Sequence, residues 1–304
     1  MTICLVREAG GFGDILTAIG APARGLKQEQ PDEQVVAFVP EEFVVVASHL
    51  EGVDKVESLG SLKTIQVNRR NREAPLDIQR YPYLKPLEKY AGARWVSLWC
   101  SGFLYETTCS GPLEYNRAQL FSLAAGVRNV RFARAKWLVD DNELERVVFM
   151  YGKEIDPYRK RVAVQFRGTC PARCLPLTIC TELASKLCAL SEVLVFDCVP
   201  PLFPAPRDAH TFIGLPIPEV AALVSTCDLI VSVDSFLWHL AAALGKPAVG
   251  VFGPTDGGGA ARSYPMHIAL DGEGTLCRIA CNYNSNKGWN KKCRVTGCER
   301  WGDS

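Results

Sequence analysis

No apolar run in this 304-residue chain approaches the roughly 18 residues that a membrane-spanning helix needs. The opening stretch MTICLVREAG lacks a charged segment followed by an apolar one, so a secretory leader is not expected. An excess of either charge is also missing: 34 lysines and arginines face 33 aspartates and glutamates, for a net +1. That removes a global electrostatic case for nucleic acid or an anionic membrane and leaves only local patches. The 13 cysteines are odd in number, and Cys4, Cys188, Cys198 and Cys227 sit in apolar segments. They read as small buried hydrophobes rather than as a disulfide scaffold. The expectation is a cytoplasmic, globular chain long enough for two domains.

A βα rhythm runs through the chain. Ile3 to Arg7 reads as a strand, Gly10-Gly11-Phe12-Gly13-Asp14 as a turn, and Ile15 to Gln28 as a helix. Strand, glycine-rich turn and helix open a Rossmann-like unit. The turn is not GxGxxG. Its glycines, Gly11 and Gly13 among them, let backbone N–H groups approach a ligand, and a helix N-terminus favours an anion. Asp14 either caps that helix or serves chemistry there. A strand at Gln34 to Val39, a helix at Glu41 to Leu50, strands at Val53 to Leu59 and Trp95 to Trp99, and a helix at Asn116 to Ala125 complete the first half. The cluster Asn68-Arg69-Arg70-Asn71-Arg72 is either a solvated face or, through Arg69, Arg70 and Arg72, a contact for a phosphate or acceptor. The boundary is placed at residues 155 and 156. A second series begins at Arg161 to Phe166 and continues with a helix at Thr178 to Ala189, a strand at Val193 to Phe196 and a helix from Ile217 to about Thr226. Asp197 follows the strand ending at Phe196.

The stretch CDLIVSVDSFLWHLAAALGKPAVGVFGPTD, Cys227 to Asp256, is the most informative. Leu229 to Val233 reads as a buried strand. Asp234 and Ser235 are both good helix N-caps. Leu237 to Leu244 is apolar apart from His239, Gly245 ends the helix, and Pro247 prevents its resumption. Ala248 to Phe252 is a second buried strand, with Gly253-Pro254-Thr255 beyond it. Polar residues at the C-terminal ends of parallel strands sit where open α/β sheets bind ligands.

Asp234, Ser235, His239, Leu240 to Gly245, Pro247 and Phe252 to Thr255 resemble the signature of glycosyltransferase family 9, the ADP-heptose:lipopolysaccharide heptosyltransferases. GGFGDILTAIGA also resembles that family's N-terminal glycine-aspartate turn, and Arg173-Cys174-Leu175-Pro176 stands where it carries a basic residue and Trp-Pro. The resemblance implies an α/β GT-B fold of two Rossmann-like domains facing across a cleft. Residues 1–155 would form the acceptor side, and 156–304 the nucleotide-sugar side with its Cys-rich basic tail at 277–304. It implies metal-independent, inverting transfer of a sugar from a nucleotide diphosphate donor to an acceptor hydroxyl, by default on lipopolysaccharide or another glycan. Asp14 would be the base. Arg173, Asp197, Asp234, Ser235, His239, Gly253, Pro254 and Thr255 would serve the donor, Asp197 at the ribose, and without the resemblance His239 reads rather as a hydrogen-bonded core histidine. Phe236 replaces the family's Gly, and with Trp238 it is expected to alter the pocket for the sugar.

No cofactor is expected for catalysis. Cys277, Cys281, Cys293 and Cys298 read either as free or disulfide-forming thiols or as ligands of a structural zinc or iron–sulfur cluster. Two rival functions remain open. One is transfer to hydroxylated bases of modified DNA, suggested by the basic clusters at 69–72 and 287–294, and the other is a non-catalytic nucleotide-sugar-binding module. Peripheral membrane contact is compatible with the basic tail.

Overall fold

The computed structural model describes residues 1–63, 89–98, 114–152, 158–168, 173–200, 205–253 and 255–271. The described residues within 1–104 and 117–138 form one compact unit, and those within 105–116 and 139–304 form a second.

The first unit contains β1 (Thr2–Val6), α1 (Phe12–Ile15), α2 (Ala21–Glu29), β2 (Gln34–Val39), α3 (Val44–Ser48), β3 (Lys55–Ser58), β4 (Arg94–Ser97) and α4 (Arg117–Ala124). Its sheet has the order β3-β2-β1-β4, parallel throughout. β1 and β2 are apolar runs rather than alternating ones because both faces of a parallel sheet are covered. Cys4, Val6, Val36, Phe38 and Leu59 pack together beneath Tyr90 and Trp95. The edge strand β3, KVES, is only half-buried and carries charge, which suits an edge.

The single helix expected over 15–28 is broken and begins earlier. α1 starts at Phe12, a π-helical turn occupies Leu16–Gly20, and α2 follows. Two local causes account for this. The Asp14 carboxylate accepts the Gly11 N–H at 2.8 Å and starts the helix at once. Pro22 has no N–H to continue the i→i−4 ladder, and the wide turn lies just ahead of it.

The second unit contains α5 (Asp141–Tyr151), β5 (Arg161–Gln165), α6 (Leu177–Leu190), β6 (Glu192–Asp197), β7 (Ala209–Ile213), α7 (Ile217–Ser225), β8 (Leu229–Val233), α8 (Phe236–Ala243), β9 (Ala248–Phe252), α9 (Gly257–Ala261) and β10 (His267–Asp271). Its sheet is parallel and ordered β10-β9-β8-β5-β6-β7. Counted from β5, that is the doubly wound 3-2-1-4-5-6 order, which reverses direction between β5 and β8. Valines of β5, β6 and β8 (Val162, Val164, Val193, Val195, Val231, Val233) form the core with Cys180 and Ala184 of α6. Strands β7 and β10 and helix α9 have no counterpart in the sequence reading.

Trp238 corrects a second expectation. It does not crowd a donor pocket. Its ring is fully buried, edge-on to Phe252 at 5.1 Å and over the backbone of Gly250. A Cβ at Gly250 would lie 2.5 Å from Trp238 Cζ3, so β9 needs glycine there to accept the indole. Gly250→Ala is therefore expected to cost about 1–3 kcal/mol in urea unfolding. Gly92→Ala, where a new Cβ meets nothing within 4 Å, should stay within about 0.5 kcal/mol.

Burial pushes the Cys227 thiol up to about 12 and those of Cys4 and Cys180 to about 11, whereas Cys198 is exposed. At about pH 8 these three buried groups stay protonated and shielded, since the thiolate is the nucleophile. Peptide-resolved alkylation of the native protein is expected to label Cys198 and spare Cys4, Cys180 and Cys227 until urea unfolds the chain.

Candidate functional site

Two polar clusters lie at the C-terminal ends of the strands where sheet order reverses. In the first unit the reversal falls between β1 and β4. The chain leaves β1 through Arg7 and turns at Gly10, whose φ of 127° favours glycine. A Cβ at Gly10 would also lie 2.7 Å from that of Asp14. Asp14 then sits in the first turn of α1, as expected for a carboxylate at a helix N-terminus. Its Oδ1 accepts from Arg117 Nη1 at 3.0 Å and lies 3.3 Å from Arg7 Nη2. Arg7 is itself buried. Its Nη1 donates to the Leu98 carbonyl just past β4 at 2.6 Å, and its guanidinium lies over the Phe121 ring at 5.2 Å. Asp14 thus caps the helix and is also held by two guanidinium groups.

In the second unit the reversal falls between β5 and β8. β8 delivers Asp234 and Ser235 to the start of α8. Ser235 occupies the N-cap position with extended backbone, but its side chain makes no capping bond. The cap comes from across the sheet: Gln165 Oε1, at the end of β5, accepts the Leu237 N–H at 3.1 Å. Asp234 is engaged elsewhere. Its Oδ2 accepts the Thr255 hydroxyl at 2.9 Å and lies 3.5 Å from Arg173 Nη1, which also donates to the Asp234 carbonyl at 3.2 Å. Both side chains of the ion pair are over four-fifths buried. Gly168 makes room for it, because a Cβ there would lie 2.7 Å from that of Arg173. His239, one turn into α8 and half-buried, has Nδ1 3.0 Å from the Tyr264 hydroxyl. Gly253 follows β9 on the strand next to β8.

Asp197 is occupied in its own loop. Oδ1 accepts the Cys198 N–H at 2.8 Å, and Oδ2 lies 3.6 Å from Arg167 Nε. Pro254, Arg69, Arg70, Arg72 and the cysteines Cys277, Cys281, Cys293 and Cys298 lie outside the described residues. Among the described residues no group of three or more His, Cys, Asp or Glu side chains is placed to hold a metal, and no helix is long and apolar enough to cross a membrane.

Residues 214–268, which hold β8, Asp234, α8, His239, β9, Thr255 and Tyr264, match the model of glycosyltransferase family 9 (heptosyltransferase). Over that segment the chain is similar to the glycosyltransferases of family 9. Solved structures share the fold. A glycosyl transferase family 9 protein from Veillonella parvula is 14% identical, with a TM-score of 0.67 over 89% of this chain and 85% of that one. E. coli ADP-heptose lps heptosyltransferase II is 15% identical, with a TM-score of 0.63 over 89% and 90%. E. coli heptosyltransferase WaaC with ADP-2-deoxy-2-fluoro heptose is 17% identical, with a TM-score of 0.56 over 89% and 93%. The two parallel α/β units are those of the GT-B fold. No curated protein matches the chain in sequence.

Sequence reasoning missed Arg7, Arg117, Gln165, Gly168 and Tyr264. Gln165 had a visible signal: it is the polar residue closing the apolar run of β5, RVAVQ. Arg117 had none, since it reaches Asp14 across 103 residues. The cap is open to a direct test. Gln165→Leu leaves the Leu237 N–H without its side-chain acceptor and is expected to lower stability by about 1 kcal/mol in urea unfolding, with an unchanged m value.

Proposed function

We propose that this glycosyltransferase transfers a sugar, with inversion, from a nucleoside diphosphate donor to an acceptor hydroxyl. The observation that carries this reading is the Asp234–Arg173–Thr255 cluster beside the N-terminus of α8, at the reversal point of a doubly wound sheet and largely within the family-matched segment. A helix N-terminus and a neighbouring guanidinium suit a diphosphate, whose charge grows as it leaves. Ser235 adds a hydroxyl at that terminus, His239 serves a phosphate or sugar oxygen, and Gly253 and Thr255 shape the loop beyond β9. Gly11 and Gly13 bring backbone close to the ligand beside Asp14.

In the reaction the acceptor oxygen bonds to the anomeric carbon as the bond from that carbon to the phosphate oxygen breaks. The leaving diphosphate takes the electron pair, toward Arg173 and the α8 terminus. The acceptor proton passes to the Asp14 carboxylate. Arg7 and Arg117 hold that carboxylate in place. A glycan such as lipopolysaccharide is the default acceptor, and ADP-heptose, whose fluoro analogue is named with the WaaC structure, is the default donor. Phe236 at the first helical position of α8 gives the sugar end of this chain its own shape.

A second reading has one observation in its favour. Asp14 already accepts the Gly11 N–H and faces two guanidinium groups, which suits a structural carboxylate in a protein that binds donors without turning them over. Asp14→Asn separates the two, because an asparagine oxygen still accepts the Gly11 N–H. Release of ADP from ADP-heptose with a lipopolysaccharide-core acceptor is expected to fall roughly 10²- to 10⁴-fold in Asp14→Asn, with ADP affinity retained. Undiminished turnover in the variant removes Asp14 as the base. A wild-type protein that binds ADP but shows no turnover favours the second reading.

A further inference from the structure

His239 is tied to a group that is itself fixed. Tyr264 is 4% exposed. Its N–H donates to the Ala261 carbonyl at 2.8 Å, and its own carbonyl accepts the His267 N–H at 3.0 Å. The phenol ring lies 5.0 Å from the His267 ring and 6.3 Å from that of Trp238, which is fully buried. The preceding residue, Ser263, is fully buried and accepts the Asn116 side-chain N–H at 2.6 Å. The hydroxyl therefore stands at a point set by packing on several sides, 3.0 Å from His239 Nδ1.

That contact has a preferred direction. A phenol O–H is a stronger donor than a neutral imidazole N–H, and the bare imidazole nitrogen is a better acceptor than a phenol oxygen. With Tyr264 donating to Nδ1, the ring proton resides on Nε2. Neutral imidazole in that form donates from the edge opposite Tyr264, without needing to be charged. A partner at one ring nitrogen deciding the role of the other is the general way histidines are tuned.

We propose that Tyr264 is a positioning residue: it locks His239 in the Nε2–H tautomer and fixes the ring so that it donates to an oxygen of the bound donor. This rests on the reading of the α8 N-terminus as the diphosphate site. It extends that reading to a residue outside the glycine, aspartate and histidine pattern of the family signature.

The test uses the full chain, uniformly ¹⁵N-labelled. It has four histidines, so long-range ¹H–¹⁵N spectra resolve each ring, and His239→Gln identifies the His239 signals by their loss. The wild type is expected to show His239 protonated at Nε2 and bare at Nδ1. Tyr264→Phe, which keeps the ring and removes only the hydroxyl, is expected to move it to a mixture of tautomers. A wild-type Nδ1–H tautomer, or a spectrum unchanged in Tyr264→Phe, overturns the inference. Calorimetric titration with ADP, UDP and GDP supplies the second arm. Tyr264→Phe is expected to weaken the best-bound nucleotide roughly three- to tenfold. In a His239→Gln background the same change should cost less than about twofold, because the two residues act as one unit. Fully additive losses overturn the inference. A wild type that binds none of the three nucleotides while keeping the Nε2–H tautomer overturns the donor reading. A wild type that binds them with the Nδ1–H tautomer overturns the part given to Tyr264 alone.

Discussion

The reversal of strand order within each parallel sheet is the constraint on which the rest depends. Where successive crossovers leave two neighbouring strands toward opposite faces, the loops part and a crevice opens at the carboxyl ends. In the first sheet those strands are β1 and β4, and in the second they are β5 and β8. Arg7, Gln165 and Asp234 are hung from these ends. Arg7 follows β1 and is gripped by the carbonyl of Leu98 after β4. Gln165 closes β5 and caps the helix that follows β8. Each bond spans the reversal and holds its two lips in register.

The same two places hold acidic residues paired with arginine: Asp14 with Arg7 and Arg117, and Asp234 with Arg173. A partly buried carboxylate is costly unless it is paired and hydrogen-bonded, and a buried pair adds little net stability over an apolar substitute. These pairs are therefore poor explanations of stability, which comes from the valine-rich strands and the apolar faces laid over them. On the proposed reading they are charge set in place ahead of a polar ligand. Rigid surroundings serve that purpose: Phe121 beneath Arg7, Gly168 against Arg173, and the packed aromatic group of Trp238, Tyr264 and His267 behind His239.

Much of this was legible along the chain. The alternation of strand and helix, the buried strands as apolar runs, the glycine-aspartate turn and the stretch from β8 to β9 all follow from patterns a few residues long. Asp14, Arg173, Asp234, Thr255 and His239 were named from local motifs together with the resemblance to glycosyltransferase family 9, and the structure places Arg173, Asp234 and Thr255 within one cluster. A carboxylate at a strand end reads the same whether it meets a ribose or serves its own loop, and Asp197 bonds the Cys198 N–H and faces Arg167. The Asp14 cap of the first helix was in view, but the break ahead of Pro22 was not.

What the sequence alone determined is thus local: which segments extend, which coil, and where glycine or a capping carboxylate turns the chain. Backbone propensity and side-chain period act over a few residues, so they are written in a few residues. Only the tertiary structure decided who meets whom. It placed β5 beside β8, so that Gln165 rather than Ser235 supplies the side-chain cap of α8. It brought Arg117 to Asp14 across 103 residues, and turned Trp238 inward onto Gly250 instead of toward a ligand. Strand order in a parallel sheet is settled by the crossovers and by the burial of both faces at once. No short stretch of chain contains that information, including the one around His239, whose partner Tyr264 was met only when β9 and β10 had been laid down beside it.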